Sequence, residues 1–232
     1  MKKIIPSRLE TGLQKLLYRT VGARIPAQVT PNQITFAGAL GGLTGIICAA
    51  LSMWNRWFLA GTICGLACHL ICDDLDGYVA RTRKMTSRAG GYFDLLTDIV
   101  HITYLIIALA FAGVIQFWTA IFMVPVYALL MFTAMNYILH LDEFLFPRLG
   151  PIETHLFFAV ICVAGIACRD SWETALGFSW TLADLILLSG GALMYCEMIR
   201  LQIQLFRRLS ACDKKAGSGT AFSEGRCRDE ER

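Results

Sequence analysis

Apolar runs long enough to cross a bilayer recur along the chain, at residues 34–53, 57–80, 91–113, 115–138, 152–168 and 177–206. A spanning helix needs about 17–25 such residues, so the fifth run is short and the sixth outruns the hydrocarbon. Ahead of them, Leu9, Leu13, Leu16 and Leu17 recur at helical spacing among Arg8, Lys15 and Arg19. That pattern predicts an amphipathic helix lying on an anionic leaflet. Thr30-Pro31-Asn32 then reads as a helix start, a capping residue followed by Pro at the first helical position. The expected fold is an all-α integral membrane bundle: six transmembrane helices preceded by an N-terminal interfacial amphipathic helix. The expected divisions are a juxtamembrane segment at 1–30, the six-helix domain at 31–208, and a Gly-, Ser- and charge-rich disordered tail at 209–232.

Composition agrees with a bilayer as solvent. Of the 232 residues 56% are hydrophobic and only 17% charged, with a mean hydropathy of +0.54, whereas soluble domains carry about 25% charged residues. Six spans put both termini on one side. All of the 21 Lys and Arg residues except Arg56 and Arg169 then fall on that side, which predicts that the termini are cytoplasmic. A bacterial inner membrane is the expected location, and residues 1–30 lack the apolar core of a cleavable signal. Cys64, Cys68 and Cys72 share a helix face and predict small-residue packing rather than a redox or metal site. The first span is similarly rich in small residues, from Gly38 to Ala50. Pro125 is expected to bend the fourth span.

The end of the second span breaks the rule of its solvent. Asp73, Asp74 and Asp76 stand in an apolar helix, and the third span opens with Asp94 and Asp98. Each carboxylate near mid-bilayer costs on the order of 2.5–3.5 kcal/mol on insertion scales, so a group of them demands cations. Hard oxygen ligands suit Mg²⁺, Mn²⁺ or Ca²⁺. At about 100° per residue, Asp73 and Asp76 share one face, as do Asp94 and Asp98, while Asp74 is turned away. The short connection predicts that the two helices pack antiparallel as neighbours, with their acidic ends meeting on the cytoplasmic side. Gly77, Ala80 and Gly90 remove bulk beside the acids, and Arg81 offers a planar fork for phosphate oxygens. Cations, small residues and arginine together describe a diphosphate site, with room for two metal ions.

These residues form one continuous pattern: Asp73-x2-Asp76-Gly77-x2-Ala80-Arg81-x8-Gly90-x3-Asp94-x3-Asp98. It resembles the signature of the CDP-alcohol phosphotransferase family at every specified position, and Thr30-Pro31-Asn32 is similar to the family's approach to its first span. The resemblance implies that Asp73, Asp76 and Asp94 hold divalent metals on the donor diphosphate. It implies further that Asp98 is the base that deprotonates the acceptor, with some part in metal binding, and that Gly77, Ala80, Arg81 and Gly90 line the CDP site. The activity implied is phospholipid synthesis. A phosphatidyl group passes from CDP-diacylglycerol to the hydroxyl of a polar alcohol or alcohol phosphate, CMP leaves, and Mg²⁺ or Mn²⁺ is required. A homodimer in the lipid bilayer is the implied assembly, and no nucleic-acid partner is expected. The family's other subclass uses a CDP-amino-alcohol with diacylglycerol. Outside the family, a cation transporter or channel is the rival reading of the acids.

Other polar residues carry weaker signals. Thr30, Asn32, Arg88 and Glu153 are further candidates for nucleotide or acceptor contacts, although Glu153 also suits a helix cap. Arg83, Lys84 and Arg88 are already explained by topology. His69 and His101 flank the acids along their helices and read as packing residues. Asp184 falls near the opposite face and is not expected in the cytoplasmic site. The stretch Asp94-Leu95-Leu96-Thr97-Asp98-Ile99 matches no subclass fully, so the acceptor stays open.

Overall fold

The structure, a computed structural model, describes residues 2–3, 8–141, 143–144, 151–168, 170–173 and 179–217. Among the described residues seven α-helices run in the order α1 (Arg8–Thr20), α2 (Pro31–Leu51), α3 (Phe58–Thr82), α4 (Arg88–Phe111), α5 (Phe117–Leu141), α6 (Pro151–Ala167) and α7 (Leu182–Gly217). Two small strand pairs accompany them: β1 (Lys2–Lys3) runs parallel to β2 (Glu143–Phe144), and β3 (Ser171–Glu173) pairs antiparallel with β4 (Ser179–Thr181). Five helices, α2 to α5 and α7, are long and apolar enough to cross a membrane, and α6 is a shorter apolar helix. The fold is that of an integral membrane protein.

Local chemistry sets the helix boundaries. At the start of α2, Thr30 Oγ1 accepts from the Gln33 amide at 3.4 Å, and the Gln33 side chain accepts from the Thr30 amide at 2.9 Å. This reciprocal cap satisfies two otherwise orphaned amides, as the sequence predicts. Ser87 caps α4 by accepting from the Gly90 amide at 3.0 Å. Pro125 lies inside α5 without ending it. The last helix reaches Gly217, beyond the expected boundary at 208. At about 1.5 Å per residue, 36 residues span about 54 Å, well past a hydrocarbon core of about 30 Å. Residues 218–232, where the rest of the expected tail falls, lie outside the described residues.

The first apolar helix packs on the second through small residues. A Cβ built on Gly65 of α3 would stand 2.5 Å from the Cα of Gly45 on α2. Cys68 and Cys72 lie against Gly41 and Gly38, which is the packing role expected of the cysteine stripe, and all three of its thiols are free. On the other side of α2, Phe36, Leu40, Leu43 and Ile47 are exposed at helical spacing and suit contact with lipid chains.

The acidic ends of α3 and α4 meet, as expected, with side chains rather than backbones in contact; α2 packs against both helices, and α6 lies against α3. Carboxylates and imidazoles project from both helices and need side-chain depth between the two backbones. A main core joins α3 to α7 around Leu66, Leu105, Leu109, Ile161 and Leu187. A smaller one, Ile34, Leu75 and Val79, takes in Leu17 of α1. Leu16, its neighbour, is 60% exposed, so α1 leans on the bundle with one edge only.

The far end of the molecule explains an anomalous acid. Asp184 is fully buried and accepts from the Thr181 amide and the Gln116 amide, both at 2.8 Å. Its own amide donates to Thr181 Oγ1 at 3.1 Å. It caps α7 and ties the α4–α5 connection to it, well apart from the other acids.

Candidate active site and metal centre

The acids converge. One carboxylate oxygen from each of Asp73, Asp76 and Asp94 lies within 4.8 Å of the other two. Two of the three come from one face of α3, one turn apart, and the third comes from the second turn of α4. Asp76 is only 5% exposed. Asp98, one turn further into α4, is 24% exposed. Its Oδ1 stands 3.8 Å from His69 Nε2. Three carboxylates this close, in surroundings poor in water, repel strongly unless a cation joins them. The donor set is all oxygen and hard, so it fits Mg²⁺ or Mn²⁺ better than a softer ion.

The surrounding polar groups orient these acids. Thr35, one turn into α2, donates its hydroxyl to Asp76 Oδ2 at 2.5 Å. Asp74 points elsewhere and accepts from Gln14 Nε2 of α1 at 2.8 Å; it is not among the three converging carboxylates. Arg81 lies over Gly77, where a Cβ would meet Nη1 at 3.1 Å, and its Nη2 donates to the Tyr18 hydroxyl at 3.2 Å. Tyr18 in turn stacks on Tyr78, with ring centroids 4.5 Å apart. Burial, then the charge of Asp74, pushes the Tyr18 phenol above its ordinary range, so it stays neutral beside the guanidinium.

The other candidates divide. Gly90 lies at the start of α4, where a Cβ would come within 3.2 Å of Asn32 Oδ1, so the beginnings of α2 and α4 meet there. Ala80 is half-buried, one residue before Arg81. Thr30 is engaged in capping α2. Arg88 is exposed at the first position of α4. Glu153 stands in the first turn of α6 and lines a mostly apolar cavity of about 100 Å³ with Tyr127, Phe157 and Met194. Arg83 is a clamp: it donates to the carbonyls of Val29 at 2.7 Å, Ile25 at 2.8 Å and Ala27 at 3.3 Å. It therefore fixes the approach to α2 on the end of α3.

The sequence model of the CDP-alcohol phosphatidyltransferase family matches residues 28–203. The chain belongs to the CDP-alcohol phosphatidyltransferase family. It is thus a transferase of phosphate-containing groups that acts in phospholipid synthesis. Family membership brings a CDP-linked donor, an alcohol acceptor and a lipid environment, and the family is generally dependent on a divalent metal. No curated protein matches the chain. The family match spans α2 through most of α7, so it includes the converging acids, Arg81 and Glu153.

Four residues at or near this site carry no signal in isolation from the fold. Gln14 and Tyr18 reach it only because α1 folds back on α3. Thr35 could have been found as the residue one turn beyond the α2 cap, on the side that faces α3. His155 of α6 is brought against His69 and His101, although it is far from both in sequence.

Proposed function

We propose that this CDP-alcohol phosphatidyltransferase moves a phosphatidyl group from CDP-diacylglycerol to the hydroxyl of a small polar alcohol or alcohol phosphate, with release of CMP. The observation that carries the reading is the convergence of Asp73, Asp76 and Asp94 beside a guanidinium fork. These three residues, with Asp98 at their edge, would hold Mg²⁺ or Mn²⁺, two ions if all four carboxylates take part. The ions supply charge compensation for the donor diphosphate and for the departing CMP.

This chain's own groups do the rest. Arg81 turns its fork from Tyr18 to a phosphate oxygen of the donor. Gly77, Ala80 and Gly90 leave the helix surfaces low enough for the nucleotide to lie against them. Asp98 takes the proton of the acceptor hydroxyl as its oxygen attacks the phosphorus that bears the lipid. The pyrophosphate bond breaks, a phosphodiester lipid forms, and the electron pair leaves with CMP. Thr30, Asn32 and Arg88 border the nucleotide, and Glu153 meets the acceptor.

The same reading gives the setting. Six helices span the membrane, α6 being short at the cost of local bilayer thinning, while α1 lies along the cytoplasmic leaflet. Both termini and the acids face the cytoplasm of a bacterial inner membrane, and the active unit is a homodimer. The decisive experiment uses purified protein in lipid vesicles with CDP-diacylglycerol, Mg²⁺ or Mn²⁺, and a panel of alcohols and alcohol phosphates. The expected result is metal-dependent CMP release with one acceptor converted to a lipid of matching mass. Absence of CMP release from CDP-diacylglycerol with every acceptor on the panel, or release only from a CDP-amino-alcohol with diacylglycerol, would overturn the donor assignment.

A further inference from the structure

Next to the carboxylates, deeper in the bundle, lies a second cluster of quite different chemistry. His69 of α3, His101 of α4 and His155 of α6 are 3%, 4% and 8% exposed. A ring nitrogen from each lies within 4.8 Å of the other two. The His69 and His101 rings are 4.1 Å apart between centroids, with His155 at 5.5 and 5.9 Å. In sequence, His69 and His101 read as separate packing residues. A packed histidine in an apolar interior normally has its polar atoms hydrogen-bonded. Here His69 Nδ1 and both ring nitrogens of His101 have no hydrogen-bond partner among the described residues. A buried polar atom left without a partner is destabilising.

We propose that His69, His101 and His155 form a second cation site, which takes a zinc-class divalent transition metal through neutral imidazole nitrogens. Three features converge on this. First, imidazole is a ligand for Zn²⁺, Co²⁺ or Ni²⁺ and a poor one for Mg²⁺ or Ca²⁺, so the site differs in kind from the all-oxygen cluster beside it. Nitrogens at about 2.0–2.1 Å from a tetrahedral ion are roughly 3.4 Å apart, a spacing that small side-chain rotations reach from the arrangement here.

Second, the orientation of His69 suits a metal ligand. Its Nε2 faces Asp98 Oδ1 at 3.8 Å, while Nδ1 is the atom without a partner. Proton on Nε2 and lone pair on Nδ1 is the tautomer that a carboxylate behind a metal-bound histidine selects. Asp98 also supplies negative charge near a dication that would otherwise be costly to bury. Third, the backbone opposite makes room. A Cβ on Gly42 of α2 would stand 2.9 Å from His69 Cδ2 and 3.0 Å from His101 Cδ2. The three imidazoles occupy that space. An ion there would tie α4 to α3 and α6.

The test uses the full chain in detergent, stripped with chelator and titrated with Co²⁺ in excess Mg²⁺. Two backgrounds are used, wild type and a chain carrying Asp73→Asn, Asp76→Asn and Asp94→Asn. The expected result in both is one Co²⁺ per chain, with the visible bands of a nitrogen-rich, four- or five-coordinate ion. His101→Leu and, separately, His155→Gln should lower its affinity by more than the about 10–100-fold that loss of an outer partner costs. Failure of the triple-Asn chain to bind Co²⁺ while it remains folded by helical circular dichroism would overturn the proposal, as would bands unchanged in both histidine variants. If a variant does not fold, X-ray absorption of the Zn²⁺-loaded wild type decides: three imidazole scatterers support the site, and none or an all-oxygen shell refutes it. These readouts do not depend on transferase activity, so the proposed reaction can fail without touching them.

Discussion

Thr35 on α2 donates its hydroxyl to the buried carboxylate of Asp76 on α3. The donor turns one oxygen of a metal-binding candidate and leaves the other for a cation. A hydrogen bond to a charged group contributes about 1.5–3 kcal/mol, and each 1.4 kcal/mol is about tenfold. Thr35→Val should therefore lower kcat/KM roughly 10- to 100-fold and raise the Mg²⁺ concentration needed for half-activity. Thr35→Ser should restore most of both. A metal titration unchanged in the valine variant removes the assigned role.

Asp98 stands next to His69 rather than within the tight group of three. Asp98→Asn should reduce turnover by at least about 100-fold, the lower bound for loss of a general base. Binding of CDP-diacylglycerol, followed by equilibrium dialysis, should change little. Equal losses of donor binding and turnover would make it a metal ligand instead.

Asp76→Asn removes charge where three oxygens meet. Metal affinity and donor affinity should fall together, because the metal would carry most of the compensation of the diphosphate. A normal donor Kd at saturating metal, with normal metal titration, excludes the ligand assignment.

Arg81 donates to the Tyr18 hydroxyl. Arg81→Lys keeps charge but not the fork, so donor KM should rise by roughly tenfold, the value of about one lost charge-assisted bond. Tyr18→Phe frees the fork and should leave that KM unchanged or lower. A higher donor KM in Tyr18→Phe contradicts a resting contact and makes Tyr18 part of the donor site.

Backbone contact between Gly45 and Gly65 tolerates no side chain. Gly65→Val should cost at least the about 1–3 kcal/mol typical of overpacking and separate Thr35 from Asp76. Thermal unfolding in detergent would register the first effect, and loss of activity below the unfolding range the second. An unshifted transition would show that α2 and α3 stand further apart than described.

The acids were legible in the sequence because they violate their solvent. Charge in an apolar helix, at a spacing that keeps one face, leaves few readings, and Asp73, Asp76 and Asp94 do converge. The α2 cap was legible for the same local reason. Long-range relations were not. The spacing of α3 from α4 depends on what fills the gap between them, and the chain shows neither His155 nor the return of α1. Asp184 looked anomalous in lipid only because its partners, the amides of Thr181 and Gln116, belong to the backbone, which every residue type shares. The described part of α7 runs on to Gly217, through a polar stretch whose composition by itself reads equally as helix or tail.

Helices whose main chains touch cannot slide or roll past one another without collision. Since α2 and α3 meet in that way at Gly45 and Gly65, two of the three converging acids ride on a rigid plate, with Thr35 set in it. The third rides on α4, which has no comparable lock to α3. Accommodation of substrates of different bulk is then expected on the side of α4, whose two acids, Asp94 and Asp98, sit one turn apart on a single helix and would shift as a pair.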